Sequence, residues 1–153
     1  MTRRAFTLVE ILIVVVILAI LAAAVIPQFT EASDDSREAA TGIIVRSIQR
    51  QISAQYAKAG AFPAAVLATW FEGNTLPSNP YFPDQAEAKL FEVVSSDDLH
   101  PADKTDNTSG VFWYNSKKGI IRARVTAGTD DAATIARYNA VNASRITTLK
   151  QTN

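Results

Sequence analysis

The sequence that decides the fold is residues 6–26, FTLVEILIVVVILAILAAAVI. Every residue from Ile11 to Ile26 is Ile, Leu, Val or Ala, and the only polar residues before them in this stretch are Thr7 and Glu10. At about 1.5 Å per residue, a helix of this length extends roughly 32 Å, which matches a hydrocarbon core of about 30 Å. The pattern predicts one membrane-spanning helix, residues 6–27.

Two other structures are compatible with an apolar N-terminal stretch. A buried core helix is unfavourable, because a small domain has no interior that can surround a helix that is apolar on all sides. A secretory signal cleaved near Ala22–Ala24 would release a soluble protein. Glu10 argues against it, since a charge in an apolar run costs about 2.5–3.5 kcal/mol on insertion scales. Arg3 and Arg4 precede the run, so the positive-inside rule predicts a single-pass protein with its C-terminal part outside the cytoplasm.

The start of the chain carries a specific motif: Met1-Thr-Arg-Arg-Ala5, then Phe6-Thr-Leu-Val-Glu10, then the apolar run. It resembles the prepilin leader and cleavage motif of type IV pilins and type II secretion pseudopilins. The resemblance implies a leader of residues 1–5, cleavage by a prepilin peptidase between Ala5 and Phe6, and methylation of the new amine of Phe6. Glu10 matches the glutamate at the fifth mature position of the family. Ala5 departs from it, because these leaders usually end in glycine.

The carboxylate of Glu10 needs a cationic partner, because an unpaired charge in a bilayer is costly. The nearest plausible cation in an assembly is the α-amino group of Phe6 on a neighbouring chain, so Phe6 and Glu10 are the predicted assembly residues. The apolar helix would face lipid before assembly and other helices afterwards. The partners implied by the resemblance are copies of this chain, related pilin-like subunits, the peptidase, an inner-membrane assembly platform and a cytoplasmic ATPase.

Residues 28–153 are predicted to form an exported head that begins with the amphipathic half of the helix. Apolar residues recur there at helical spacing until Gly60, which is expected to end the helix. They are Ala40, Ile44, Ile48, Ile52 and Tyr56, with Ile43 beside them. A strand, Leu90–Val94, and a hairpin of Val111–Tyr114 with Ile120–Val125 are predicted to complete a small antiparallel sheet. The predicted fold class is α+β and pilin-like, with one long N-terminal helix packed on this sheet.

Two further features of the head follow from sequence patterns. In the last strand, apolar Ile121, Ala123 and Val125 alternate with Arg122 and Arg124, which predicts one face against the helix and one charged face in solvent. From Thr129 to Asn142 we expect a capped helix with one face of alanines, and after it a frayed or extended tail. The alanines are Ala132, Ala133, Ala136 and Ala140.

The loop Leu76-Pro-Ser-Asn-Pro-Tyr81 resembles the Asn-Pro-Tyr/Phe loop of secretion-type major pseudopilins. The alternative is a surface loop held by its prolines, with Tyr81 and Phe82 tucked onto the head for purely structural reasons.

Other candidate sites have a weaker basis in the sequence. His100 is the single histidine and cysteine is absent, so a transition-metal or triad site lacks its members, and His100 is predicted to be a surface residue. Four aspartates have oxygen atoms that suit calcium, but acidic loops are usually solvated, and no cofactor is predicted. They are Asp97, Asp98, Asp103 and Asp106.

A small basic area next to aromatic residues has the composition of a single-stranded DNA site. Its members are Lys117, Lys118, Arg122 and Arg124, with Trp113 and Tyr114. The chain has 15 Lys+Arg and 15 Asp+Glu, so no net field attracts nucleic acid, and binding to it is not expected.

The predicted function is that of a structural subunit of a type II secretion pseudopilus or a type IV pilus. No glycine-rich phosphate loop, nucleophile elbow or paired-carboxylate motif occurs in the sequence, so an enzyme is not predicted. The alternative is an envelope binding module, either anchored by the uncleaved helix or secreted. The absence of cysteine argues mildly against major pilins with a C-terminal disulfide, and the Asn79-Pro80-Tyr81 loop argues mildly for the secretion-type group.

Overall fold

The computed structural model describes residues 7–153, apart from the side chains at positions 24 and 26–31. The predicted leader, residues 1–5, and Phe6 lie outside the described residues. The chain divides into two compact units, Met1–Ser36 and Arg37–Asn153. The elements are α1 (Leu8–Ala59), β1 (Phe91–Val94), β2 (Phe112–Asn115), β3 (Ile120–Ala123) and α2 (Asp131–Asn142), with short 3₁₀ helices at Ala68–Trp70, Glu72–Asn74 and Glu87–Lys89.

In the first unit, α1 presents large apolar side chains on all sides. From Leu8 to Leu21, and at Val25, these side chains are between 44% and 83% exposed. Across residues 7–23, 25 and 32–153, no helix is both long and apolar enough to cross a membrane. The span predicted from the sequence stays a prediction.

In the second unit, α1 has one buried face and ends at the predicted residue. Gly60 has a φ of 72°, and its N–H donates to the Tyr56 carbonyl at 2.8 Å, as in a left-handed helix cap. The buried positions are Thr41, Gly42, Val45, Ile48 and Ile52. Ile48 and Ile52 confirm the predicted stripe, whereas Ile43 and Tyr56 are 58% and 45% exposed. Residues four apart on a helix are offset by about 40° around its axis, so the predicted stripe, which uses only steps of four, moves off the buried face. Alternating steps of four and three residues stay on one face.

This face provides a matched pair of isoleucines for a stability test. Ile48 is fully buried in the core, whereas Ile43 is 58% exposed on the same helix. We expect Ile48→Ala to lower the free energy of unfolding by about 2–5 kcal/mol, because it removes buried methyl groups and leaves a cavity. Ile43→Ala should change it by no more than about 0.5 kcal/mol. Urea unfolding of the full chain in detergent measures both, and equal effects would contradict the packing described here.

The sheet has the order β1-β2-β3 and is mixed rather than antiparallel. The β2–β3 hairpin is antiparallel, as predicted, with Phe112 opposite Ala123. β1 runs parallel to β2, with Phe91 opposite Phe112, so the prediction was wrong for this strand. The connection 95–111 is long enough for the crossover that a parallel pair requires.

One apolar face of the sheet packs on the second half of α1. Ile121, Ala123 and Val125 are fully buried, as predicted, in one core with Ile48 and Ile52. The Gln49 side chain joins the helix to the hairpin: its Nε2 donates to the Gly119 carbonyl at 2.7 Å, and its Oε1 accepts from the Ile121 N–H at 3.2 Å. The long helix on a small sheet, predicted from the sequence, is confirmed.

The C-terminal region differs from its prediction in two ways. Asp130 caps α2 by accepting from the Ala133 N–H at 2.7 Å, but the buried side chains are not those of the alanine face. They are Thr134, Tyr138, Val141 and Asn142. Of the two alternatives expected for the tail, frayed or extended, the frayed one is wrong, because the Thr152 carbonyl accepts from the N–H groups of Leu99 and His100 at 2.7 and 3.0 Å. It is held by a segment about fifty residues earlier in the chain, which no local pattern indicates.

Candidate functional site

The N-terminus of α1 is built by two side chains that cap each other. The Thr7 Oγ1 accepts from the Glu10 N–H at 3.2 Å, and the Glu10 Oε2 accepts from the Thr7 N–H and Thr7 Oγ1, both at 2.8 Å. This is a capping box, in which a threonine at the N-cap and a glutamate three residues later satisfy two otherwise unpaired N–H groups. The capping box was not predicted from the sequence, although a threonine followed three residues later by glutamate is its known signal.

The capping box corrects the premise that Glu10 is unpaired in the single chain. Its Oε2 is held by Thr7, while no hydrogen bond to its Oε1 occurs among the groups that the structure describes. One carboxylate oxygen can therefore support the helix while the other receives a cation. Thr7, Leu8, Ile11, Leu12 and Val15 form an open, largely apolar surface at the same end of α1. The arrangement suits contact with another apolar helix that carries one positive charge.

The other predicted processing and assembly residues are not among those that the structure describes. Ala5 and Phe6, between which cleavage is expected, lie outside the described residues, as does the amine that methylation would modify. Of the predicted assembly pair, the structure places Glu10 alone. It lies in the first turn of α1, with its side chain exposed.

The comparisons with known proteins identify the motif in this region. Residues 1–26 match the family model described as the prokaryotic N-terminal methylation motif. No curated protein matches the chain, and no solved structure does. The match covers Ala5, Phe6 and Glu10 and is the prepilin signature of type IV pilin-like proteins. The chain therefore carries the prepilin signature, and the motif indicates a type IV pilin-like precursor.

His100 is buried, so its prediction as a surface residue was wrong. It is 7% exposed, its Nδ1 lies 3.1 Å from the Tyr138 hydroxyl oxygen, and the Arg122 Nε donates to the same Nδ1 at 3.4 Å. Burial, together with the positive charges of Arg122 and Lys104, lowers the pKa of His100 to about 4. The imidazole is therefore neutral near pH 7 and serves as part of the packed head.

Two carboxylates of the acidic loop, those of Asp103 and Asp106, accept local hydrogen bonds. The Asp103 Oδ1 accepts from the N–H groups of Thr105 and Asp106 at 2.8 and 2.9 Å, and these bonds lower the pKa of Asp103. Asp97 instead pairs with Lys117 at 2.9 Å. Among the side chains of residues 7–23, 25 and 32–153, no three of His, Cys, Asp or Glu form a group that could hold a metal ion.

The basic area does not form the exposed site that its composition indicated. Trp113 is 4% exposed and Tyr114 fully buried, so neither ring can stack on a base. Arg124 is also buried, which contradicts the predicted solvent-facing arginines. Its guanidinium forms an ion pair with Glu92 and donates to the Gly110 carbonyl, and its Nε donates to the Asp103 carbonyl at 3.1 Å.

Asn79 joins the proline-rich loop to the sheet. It is fully buried, its Nδ2 donates to the carbonyls of Val111 and Arg124 at 3.1 and 2.8 Å, and its Oδ1 accepts from the Tyr81 N–H at 3.0 Å. The Tyr81 ring is 5% exposed and lies under the Arg137 guanidinium, 5.5 Å from the ring centroid. These contacts stabilise the head, as the structural alternative for this loop predicted.

Proposed function

We propose that this chain is a structural subunit that polymerises into a filament after its leader, residues 1–5, is removed. The filament is a type II secretion pseudopilus or a type IV pilus, and the chain is not an enzyme. The observation that carries the proposal is the methylation motif over residues 1–26. It continues into a helix whose apolar side chains are exposed and whose first turn carries Glu10.

The exposed apolar surface of α1 supports polymerisation. An apolar surface of this extent requires either lipid or other apolar helices around it, because exposing it to water is unfavourable. In the proposal residues 6–27 lie in the inner membrane before assembly and at the filament centre afterwards, while residues 28–153 form the head outside the cytoplasm. The partners are copies of this chain and related subunits, with the peptidase, platform and ATPase required for processing and assembly.

Glu10 supplies the proposed axial register. A neighbouring subunit that starts at Phe6 offers an α-amino group, and a carboxylate in apolar surroundings is stabilised when it pairs with such a cation. The unbonded Oε1 can accept that amine while Oε2 keeps its bonds to Thr7. A neighbour displaced along the helix axis would leave both the Glu10 carboxylate and the Phe6 amine unpaired. One axial offset between adjacent subunits is therefore favoured.

The intact mass and N-terminal sequence of the protein from its native membranes test the processing step. We expect a chain that begins at N-methylated Phe6, because the motif places the cleavage between Ala5 and Phe6. Cells without the peptidase provide the control and should yield a chain that keeps Met1. A start near Val25 in normal cells would indicate a secreted soluble protein, and an intact Met1 a plain membrane anchor. Either result would refute the proposal in favour of the envelope binding module.

A further inference from the structure

The two edge strands of the sheet, β3 and β1, differ in whether other residues of the head bond to their outer backbone groups. Along the free edge of β3, the Ile121 N–H is bonded to Gln49, and the Ala123 N–H donates to the Asn142 Oδ1 at 2.7 Å. The Asn142 Nδ2 donates back to the Ala123 carbonyl at 2.9 Å, and the Arg122 Nη1 donates to the Ile121 carbonyl at 3.1 Å. Side chains therefore take the place of a neighbouring strand, and this edge is closed to further pairing.

The opposite edge, on β1, is open. The Leu90 carbonyl accepts from the first residue of β2 and the Val94 carbonyl from the residue just after β2, so Leu90, Glu92 and Val94 direct their backbone groups into the sheet. Backbone groups alternate along a strand, so those of Phe91 and Val93 point outward. In the described part of the chain, no backbone or side-chain hydrogen bond reaches these outward groups. Val93 is 44% exposed, which leaves the middle of the edge accessible.

The spacing of these outward groups selects an extended backbone as the partner. N–H and carbonyl groups at alternate residues of one strand are complementary to another strand and to little else. A second copy cannot extend the sheet through its β3, because that edge is closed. The antiparallel pairing of two β1 strands that uses the outward groups of both sets Phe91 of one copy opposite Val93 of the other. It would place one Glu92 opposite the other, and like charges in that position are destabilising. The occupant that fits is an extended segment of a different protein.

The side chains around the edge indicate the chemistry of that segment. On one face it meets Val93 and the edge of Phe91, whose ring stacks on Phe112 at 5.2 Å, so apolar residues fit there. On the other face it meets Glu92. Glu92 forms an ion pair with Arg124, in which the glutamate side chain is 29% exposed and the arginine side chain 5%. A docked segment would therefore contact the carboxylate and not the guanidinium. A basic residue opposite Glu92 is complementary to it.

We propose that the open edge of β1 is a docking site for an extended segment of another protein with apolar and basic residues in alternation, which adds a fourth strand to the sheet. The docking site lies on the sheet alone and is independent of filament assembly. It gives the head a binding surface distinct from α1.

Hydrogen exchange of the full chain in detergent, with and without a peptide of alternating valine and lysine, tests the site. In the free protein the amides of Phe91 and Val93 should exchange at least about tenfold faster than those of Glu92 and Val94. The peptide should slow the first two. A peptide of alternating valine and glutamate, with the same apolar positions, should bind at least about tenfold more weakly. Slow exchange at Phe91 and Val93 in the free protein, or no change with the valine and lysine peptide, would overturn the proposal.

A pair of variants separates docking from folding. Val93→Pro removes an outward N–H, which an edge strand tolerates, and should weaken peptide binding at least about tenfold without changing the unfolding midpoint. Val93→Thr keeps the N–H and should bind like the native chain. If Val93→Pro bound the peptide equally well, the edge would not be the site. Protection of Phe91 and Val93 in assembled filaments without peptide would show that a second copy occupies the edge and would equally refute a foreign strand.

Discussion

Glu10→Gln is expected to reduce incorporation of the subunit into filaments by about a hundredfold or more. Glutamine keeps the capping box, because its side-chain oxygen can still accept from the Thr7 N–H and Oγ1. It removes the charge, so the amine of a neighbouring Phe6 would be left without its counterion. Removal of one partner of a buried ion pair costs about 3–5 kcal/mol, which corresponds to more than a hundredfold in an equilibrium. The measurement is the fraction of subunit in sheared filaments relative to membranes, by immunoblot.

Two further variants separate charge from capping. Thr7→Val loses the N-cap oxygen and keeps the carboxylate, so it should lower helix stability by about 1 kcal/mol and leave incorporation largely intact. Glu10→Ala loses both functions and should fail like Glu10→Gln. If Glu10→Gln were incorporated normally while Glu10→Ala was not, the capping box and not the charge would be what assembly requires. The register mechanism would then be wrong, although the prepilin motif would stand.

Arg124→Met is expected to lower the free energy of unfolding by about 3–5 kcal/mol, because it leaves the Glu92 carboxylate partly buried without its counterion. It also removes the donors to the Gly110 and Asp103 carbonyls. Denaturant unfolding of the full chain in detergent, followed by tryptophan fluorescence, measures the loss, since Trp113 is buried and lies opposite Glu92 on the neighbouring strand.

The double variant and an exposed arginine provide the controls for this experiment. Arg124→Met combined with Glu92→Met removes both charges and should recover part of the loss, because no buried carboxylate is then left unpaired. Arg50→Met, at an exposed position on α1, should change stability by no more than about 0.5 kcal/mol. Equal effects of Arg124→Met and Arg50→Met would contradict the buried ion pair.

The sequence-based predictions failed where a residue is placed by partners far away in the chain. His100 and Arg124 were expected in solvent, because a lone histidine in an acidic loop and an alternating arginine usually lie there. Arg124 is instead covered by Glu92 and by the backbone of the loop that contains Asp103. His100 is covered by Tyr138, 38 residues further along the chain. Neither contact has a local signal.

The buried face of the helix shows the same limit on a smaller scale. Ile48 and Ile52 were predicted correctly, but Tyr56 was included in the stripe, Ile43 was placed beside it, and Val45 was left out. Ile43, Ile44 and Val45 are consecutive apolar residues. Their spacing alone does not determine whether the buried face of the helix includes Ile43 or Val45. The sheet on one side of α1 decided that Val45 is buried and Ile43 exposed.

The amino-acid sequence by itself determined the elements whose causes are local. The prepilin motif lies within residues 1–26, Gly60 ends α1, and the turn at Gly119 joins β2 to β3. Periodicity, helix caps and turn glycines act over a few residues, so they can be recognised without a structure.

Only the tertiary structure decided the parallel pairing of β1, the burial of Arg124 and the difference between the two sheet edges. Each depends on groups brought together from distant positions. Gln49 and Asn142 close the edge of β3 from two different helices, while no described residue closes that of β1. Backbone and charged groups are stabilised by whichever partners the folded chain supplies, and those partners are fixed by packing and not by neighbours in sequence.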